Sequence, residues 1–417
     1  MKKLLLIVPM LHQGGFERVC VTTARLMQKY YKVTILIFSD KDINYDVTGI
    51  NVVNINVPAT KKYGKLGKVI NVIRRVIKVS AYKRQVGIDI SYSFGSSANY
   101  VNVLSRIGNK AKVLTGLRCS TDMENRKQVA LFCKSANQVL SCSKEIMREL
   151  KRDYNYERSS YIYNPLEVDM IKERAANKEA LNEATDIYDG RPVISKNNTT
   201  VSVKDDESVT IISVGRQDYI KGFWHLIKAF KLVYDKYPFT KLVIVGTGDF
   251  RKFKRLAGQL GVADRVIFPG LQRNPFAFVD SADLYVLSSN HEGFPNALLE
   301  AMALGKPCVA ADCKTGPREI LLSEDEYETL IREKPDGSST DDIIFGTYGI
   351  IVPDMDEQED FDPFNITEGD RKLAEGILAM ISEKEKMKEY GEKAYKRALT
   401  YDPSKYAKDL KNILEKV

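Results

Sequence analysis

Two glutamates stand eight positions apart in HEGFPNALLEAMALGKP (residues 291–307), and what chemistry they could do depends on the residues between them. Pro295 suits the first turn of a helix, because it lacks the amide hydrogen that would go unpaired there and its φ is already helical. The spacing predicts a helix starting at Phe294 or Pro295, with Ala297, Leu298, Ala301 and Met302 on one buried face and Gly305 and Pro307 ending it. Glu300 falls near that face and Glu292 just outside the N-terminus. A carboxylate at the margin of a buried face is costly unless paired or hydrogen-bonded, so Glu300 calls for a hydroxyl-rich or cationic partner, which a ligand could supply. The bland alternative is an exposed glutamate that only borders the stripe.

Cations suited to an anionic ligand lie upstream. After TIISVG come Arg216 and, five residues on, Lys221-Gly222. The spacing is not that of a phosphate-binding P-loop, yet two cations beside glycines on a strand-to-helix loop have the chemistry to hold a phosphate. Two solvated loop cations are the alternative. VGTGDF after the next strand lacks the third glycine of a dinucleotide fingerprint, and Gly246 and Gly248 are read as a tight turn that lets a ligand approach the backbone. Near the start, HQGGFER opens a helix at Phe16 or Glu17. Gly14 and Gly15 permit close backbone approach, and the free amides of the next turn suit an anion, although a glycine pair can equally serve the turn alone. The three histidines, His12, His225 and His291, assemble into no Ser-His-Asp or histidine-metal pattern.

Positioning these residues requires strands that end where they begin. Short apolar runs alternate with helix-like stretches: KLLLIVPM, KVTILIF, INVVNINV, DISYSF, KVLTGL, QVLSCS and SSYIYNP, and later VTIISVG, TKLVIVG, RVIFPG, DLYVLSS and KPCVAAD. This is the pattern of α/β domains with parallel sheets. Residues 172–207 break the rhythm, being polar and rich in Asn, Asp and Lys, and read as a linker with an insertion; residues 323–347 read as polar and irregular. The expected division is 1–171, a Rossmann-like acceptor domain; 172–207, the linker; 208–395, a Rossmann-like donor domain; and 396–417, a C-terminal helix returning to the N-terminal domain. Two such domains imply a cleft, and in open α/β sheets ligands gather at the carboxyl ends of strands.

At 417 residues the chain exceeds what one core usually supports. No run of about 18 apolar residues reads as a membrane span, and MKKLLLIVPMLHQGG reads as a first strand rather than a signal peptide. The six cysteines lack metal spacing and read as reduced cytosolic thiols. Residues 1–170 carry a net charge of +15 and the remainder −7, so a phosphate-bearing partner or an anionic surface is expected for the first half. Nucleic acid is not among the expected partners.

SVGRQDYIKGFWHLIKAF, KLVIVGTGDF, VIFPGLQRNPF, ADLYVLSSNHEGFPNALLEAMALGKPCVAAD and TGPREIL, in that order and with GGFER near the start, resemble the retaining, nucleotide-sugar-dependent glycosyltransferases of family 4, which have the two-domain GT-B architecture. The resemblance covers nearly the whole chain and is strongest from Val209 to Leu321. It implies that Glu300 accepts hydrogen bonds from the donor's ribose, that Glu292 lies by the donor sugar, and that the turn Gly293, Phe294, Pro295 and Asn296 offers backbone amides to sugar and phosphates. It implies that Arg216 and Lys221 neutralise the diphosphate, that Gly14 and Gly15 approach donor and acceptor, and that Gly270 to Asn274 meet the base, with uracil expected. Members of the family often carry a histidine at about the position of Arg118; here arginine would hold a phosphate or an acceptor hydroxyl. No Asp-x-Asp dyad stands at a strand end, so no metal and no other cofactor is expected. The implied activity is transfer of a hexose or N-acetylhexosamine from a UDP-sugar to a lipid-linked or polysaccharide acceptor in bacterial capsule or exopolysaccharide synthesis. A sugar-nucleotide epimerase or hydrolase on the same fold, and a sugar-nucleotide-binding protein without turnover, are the alternatives.

One segment points to a surface. Residues 61–84, KKYGKLGKVINVIRRVIKVSAYKR, hold nine Lys and Arg and no acidic residue, while Leu66, Val69, Ile70, Ile73, Val76 and Ile77 recur at helical spacing. An anionic membrane leaflet is the expected partner, giving a cytoplasmic protein held at the inner face of the cell membrane. An ordinary core-facing helix with solvated charges is the alternative.

Overall fold

The structure, a computed structural model, describes residues 1–12, 14–41, 43–59, 64–178, 186–188, 191–193 and 208–417. The chain forms two compact units, one of Met1–Pro165 with Tyr401–Val417 and one of Leu166–Thr400.

The first unit is built on seven strands: β1 (Lys3–Val8), β2 (Lys32–Ile37), β3 (Asn51–Asn54), β4 (Ile90–Phe94), β5 (Lys112–Leu117), β6 (Gln138–Ser141) and β7 (Ser159–Tyr161). They lie in the order β3-β2-β1-β4-β5-β6-β7, and every pairing is parallel. Leu4 to Val8 of β1 have no exposure, as a central strand covered on both faces requires. The last helix, Pro403–Glu415, belongs here: Tyr406, Ala407, Leu410 and Leu414 join the core around β1 and β2. Burying each of its two leucines contributes roughly 1.5–3 kcal/mol.

The second unit carries a hairpin, β8 (Asp186–Tyr188) and β9 (Arg191–Val193), and a sheet of β10 (Val209–Val214), β11 (Thr240–Val245), β12 (Val266–Gly270), β13 (Leu284–Leu287), β14 (Cys308–Ala311), β15 (Ile344–Gly346) and β16 (Gly349–Val352). The order is β12-β11-β10-β13-β14-β16-β15, parallel except for β15 against β16. In both sheets the strand order reverses beside the first strand, between β1 and β4 and between β10 and β13.

Three sequence readings need correction. Residues 168–176 form a helix, Val168–Ala176, at the start of the second unit, where Arg174 Nη2 donates to the Arg273 carbonyl at 2.6 Å and Asn274 Nδ2 to the Arg174 carbonyl at 2.7 Å. The expected linker therefore begins later than 172; its residues 179–185, 189–190 and 194–207 lie outside those described. Residues 323–347, read as irregular, contain the helix Glu324–Glu333 and β15. Ser323 and Glu326 form a capping box there, a signal present in the sequence but masked by the acidic run. At the other end the unit boundary falls at Tyr401, where helix Lys384–Ala398 has ended, rather than at 396.

Candidate functional site

In the second unit the loops after β10 and β13 meet at the point where the strand order reverses, the usual ligand position in such sheets. They interlock through backbone. Asn290 N–H donates to the Ile220 carbonyl at 2.8 Å, and Ser288 Oγ to the Lys221 carbonyl at 3.0 Å. Gly222 sits at φ +56°, and a Cβ there would come 2.0 Å from the Ser288 carbonyl oxygen, so only glycine lets the loops close.

This closure brings Lys221 to Glu292. Lys221 Nζ lies 2.6 Å from Glu292 Oε1, which also accepts from Ser289 Oγ at 2.7 Å. The two charged side chains are only 21% and 11% exposed, so the pair is partly withdrawn from water and its field is less screened than on an open surface. Arg216, directly after β10, is 59% exposed and reaches Asp218 Oδ2 at 3.4 Å. Asp218 also caps the turn Tyr219–Lys221 through the amide of Ile220, tying the two cations into one short loop.

The helix behind them spans Asn296–Ala303, with Pro295 extended at its N-cap. It begins one or two residues later than the start at Phe294 or Pro295 that the sequence suggested. Leu298, Leu299, Ala301, Met302 and Ala303 are all buried, and Glu300 with them at 8% exposure. Glu300 is thus enclosed by a helix buried nearly all round, which removes the reading of an exposed border residue. Phe294 is buried at 4% and fixes the turn between the glutamates. Beneath lies Tyr285 of β13, fully buried; burial holds its phenol well above the usual range, and the fields of Glu292, Cys308 and Glu300 push the same way. Sequence reading missed Tyr285, since one tyrosine in an apolar strand carries no signal of what lies above it.

The segment TGPREIL buttresses this turn. Thr315 Oγ1 donates to the Glu292 carbonyl, and Arg318, with no exposure, makes a two-pronged contact with Asp312 at 2.8 and 2.7 Å. Arg318 also donates to the Ser338 carbonyl at 3.0 Å, and Asp312 accepts from the Thr340 amide at 2.8 Å.

Gly246 and Gly270 sit where β11 and β12 end, with the Gly246 amide donating to the Gly270 carbonyl at 3.0 Å. A Cβ on Gly246 would fall 1.7 Å from the Gly215 carbonyl oxygen. The packing of neighbouring strand ends therefore already demands this glycine, and ligand approach is not needed to explain it.

In the first unit Gly14 precedes helix Gly15–Met27, held by the Tyr45 hydroxyl, which accepts from the Gly14 amide at 2.9 Å and donates to its carbonyl at 2.6 Å. A Cβ on Gly14 would come 2.2 Å from Glu17 Oε2. The buried Glu17 carboxylate thus lies against this turn, and a phosphate at these amides would come close to it. Arg118 is 9% exposed, its Nη1 donates to Asn164 Oδ1 at 3.0 Å, its Nη2 to the Tyr92 hydroxyl, and it packs on Phe94 at 4.9 Å. Both terminal nitrogens have protein partners, while Nε has none, so a donor is left for a phosphate or an acceptor hydroxyl.

Residues 195–336 match the family described as Glycosyl transferases group 1. Over 213 residues, half of each chain, the sequence is 34% identical to an uncharacterised glycosyltransferase of Methanocaldococcus jannaschii. Over 427 aligned residues, 98% of each chain, it is 24% identical to the N-acetylgalactosamine-N,N'-diacetylbacillosaminyl-diphospho-undecaprenol 4-alpha-N-acetylgalactosaminyltransferase of Campylobacter jejuni. The crystal structure of Anabaena HepE in complex with UDP is similar across the whole of both chains, with a TM-score of 0.71 at 17% identity. The fold is that of the GT-B glycosyltransferases, two units each on a largely parallel sheet.

Proposed function

We propose that the chain is a retaining glycosyltransferase of family 4 that moves a hexose or N-acetylhexosamine from a UDP-sugar to a lipid-linked or polysaccharide acceptor of a bacterial surface glycan. The observation that carries this reading is the Lys221–Glu292 pair at the strand reversal of the second unit, with Arg216 on the same loop as Lys221 and the buried Glu300 on the helix that follows Glu292. Two cations and two carboxylates suit a ligand with a diphosphate in the middle and a hydroxyl-rich ring on either side of it.

On this reading Arg216 and Lys221 take the diphosphate, Glu300 the ribose and Glu292 the sugar, with Gly293 to Asn296 presenting amides and Gly270 to Asn274 facing the base. Lys221, now paired with Glu292, exchanges that contact for the phosphate. The bond from the sugar's C1 to the diphosphate oxygen breaks with its electron pair on the leaving group, the acceptor oxygen bonds to C1 on the same face, and a diphosphate oxygen takes the acceptor's proton. Charge stabilisation on the leaving group is what the protein must supply, and the two cations do so. Activity should therefore survive EDTA; complete loss restored only by a divalent ion would overturn the cation-based account.

An epimerase or hydrolase on the same fold is the second reading, favoured only if nucleotide is released without an acceptor. Incubating the protein with a panel of nucleotide sugars, with and without lipid extract, separates them. Release of UDP that depends on the extract, with sugar appearing in the lipid fraction, is the expected result.

A lipid-linked acceptor brings in the basic segment. The structure forms a helix over Gly64–Val86; Lys61 and Lys62 lie outside the described residues. Arg75 and Lys83 turn inward, Arg75 donating to the Val57 carbonyl at 2.9 Å and Lys83 to Asn102 Oδ1 at 2.7 Å. The apolar stripe turns outward instead: Val69, Ile70, Ile73 and Ile77 are 56%, 37%, 53% and 62% exposed, with Lys68, Arg74 and Lys78 exposed beside them. An exposed apolar stripe edged by cations suits an anionic bilayer, where each nearby cation contributes roughly 1 kcal/mol. No described helix is long and apolar enough to cross a membrane. Wild type should sediment with vesicles containing anionic lipid at low salt and release at high salt, and Ile73→Ser with Ile77→Ser should weaken binding. No binding, or equal binding to neutral vesicles, would contradict the docking role.

A further inference from the structure

The turn that leaves helix Ser96–Leu104 meets the outward stripe of helix Gly64–Val86 and carries Ile107, which is 80% exposed. Ser80 Oγ donates to the Ile107 carbonyl at 2.8 Å. Ser80 lies three residues after Ile77 and seven after Ile73, so the three share one face of the helix and the Ile107 tip continues their line. From Val69 to Ser80 that line is roughly 16 Å long. Leu104, at the end of the helix from which the turn departs, is 37% exposed.

The turn is tied together behind its tip. Asn109 Nδ2 donates to the Ser105 carbonyl at 2.6 Å, Asn109 Oδ1 accepts from the Ala111 amide at 3.2 Å, and Ser105 Oγ donates to the Asn102 carbonyl at 3.0 Å. Gly108 sits at φ +75°, and a Cβ on it would lie 3.4 Å from Arg84 Nη1, which puts a cation beside the tip. A single exposed isoleucine is ordinary, but one that extends an apolar stripe rimmed by cations marks a binding surface. The exposed apolar members are Val69, Ile70, Ile73, Ile77, Leu104 and Ile107, all aliphatic, whereas the centres of protein interfaces favour Trp, Tyr and Phe. Residues 64–88 and 104–112 contain no Asp or Glu, and Arg84 and Lys110 add exposed cations. An aliphatic surface with a cationic rim and no acid matches hydrocarbon beneath anionic headgroups.

We propose that the turn 105–110 is a second membrane anchor, with Ile107 entering the acyl boundary of an anionic leaflet beside helix Gly64–Val86. This anchor rests on the docking reading of that helix and adds what the helix alone lacks. A single helix lying in the interface is free to roll about its own axis. An anchor set to one side of it fixes the roll, and with it the face that the first unit turns to a lipid-linked acceptor.

The test uses the full-length protein with phosphatidylcholine vesicles, with and without phosphatidylglycerol, at low salt. The chain has one tryptophan, Trp224, which is fully buried, so Ile107→Trp supplies the only exposed indole. With anionic vesicles its emission should shift to shorter wavelength and be quenched by brominated acyl chains, whereas wild type, reporting Trp224 alone, should show neither change. Ile107→Ser should weaken vesicle binding about tenfold, the loss expected for one aliphatic side chain withdrawn from water, and Ile107→Leu should bind as wild type does. Circular dichroism checks that the variants fold. If vesicle-bound Ile107→Trp is neither shifted nor quenched, or if Ile107→Ser binds as wild type does, the turn stays in water and the second anchor is wrong, while docking through the helix stands. If wild type binds no anionic vesicle, the docking reading falls and the anchor falls with it.

Discussion

Lys221→Ala is expected to lower turnover about a hundredfold at saturating donor, with the protein still folded. Removing one preorganised charge from a developing diphosphate costs on the order of 3 kcal/mol. The site holds Lys221 in place: it lies 2.6 Å from Glu292, on a loop interlocked through backbone with the loop that carries Glu292. Arg216→Ala should cost a similar factor despite its 59% exposure, because its contribution arises when the leaving group gains charge rather than in the resting pair with Asp218. Single-turnover and steady-state rates on both variants check this, with circular dichroism to confirm folding. Near wild-type turnover for either would remove that cation from the mechanism.

The second large effect is on stability. Arg318→Ala strips the partner from Asp312, whose carboxyl is buried and already raised above the usual carboxylate range by that burial, with the guanidinium opposing the shift. Breaking a buried pair by removing one member costs about 3–5 kcal/mol, a large share of the roughly 5–15 kcal/mol that holds a typical domain together. For a unit of this size that is a fall in Tm of roughly 6–20 °C, measurable by scanning calorimetry. Asp312 also accepts the Thr340 amide, and Arg318 holds the Ser338 carbonyl, so the damage spreads into the loop before β15. A shift under 2 °C would show that the pair is replaceable.

How much of this could be read beforehand varies with the range of the interaction. KVLTGL is β5 to the residue, because a parallel strand buried on both faces is a local apolar run. The glutamates and the Arg216 and Lys221 loop were visible as residue types at strand ends, since that placement follows from the order of elements. Their pairing was not, because 71 positions separate Lys221 from Glu292 and only the crossing of two loops joins them. For helix Gly64–Val86 the sequence left a surface-facing stripe and a core-facing helix both open. Its apolar residues have core spacing, yet Arg75 and Lys83 take the inward positions by finding carbonyl and amide partners, which periodicity does not report. Glu17 marks only the start of a helix in the sequence, and nothing in its spacing reports that it is buried at 2% exposure.

The central claim is that the strand ends of the second unit hold a nucleoside diphosphate through Arg216, Lys221 and Glu300, and titration calorimetry with UDP and with uridine tests it most directly. UDP should bind wild type and bind uridine's site far more tightly than uridine itself, while Lys221→Ala should lose most of that difference and Glu300→Ala should weaken both ligands. If UDP and uridine bind wild type alike, or if Lys221→Ala binds UDP as wild type does, the account of this site is contradicted.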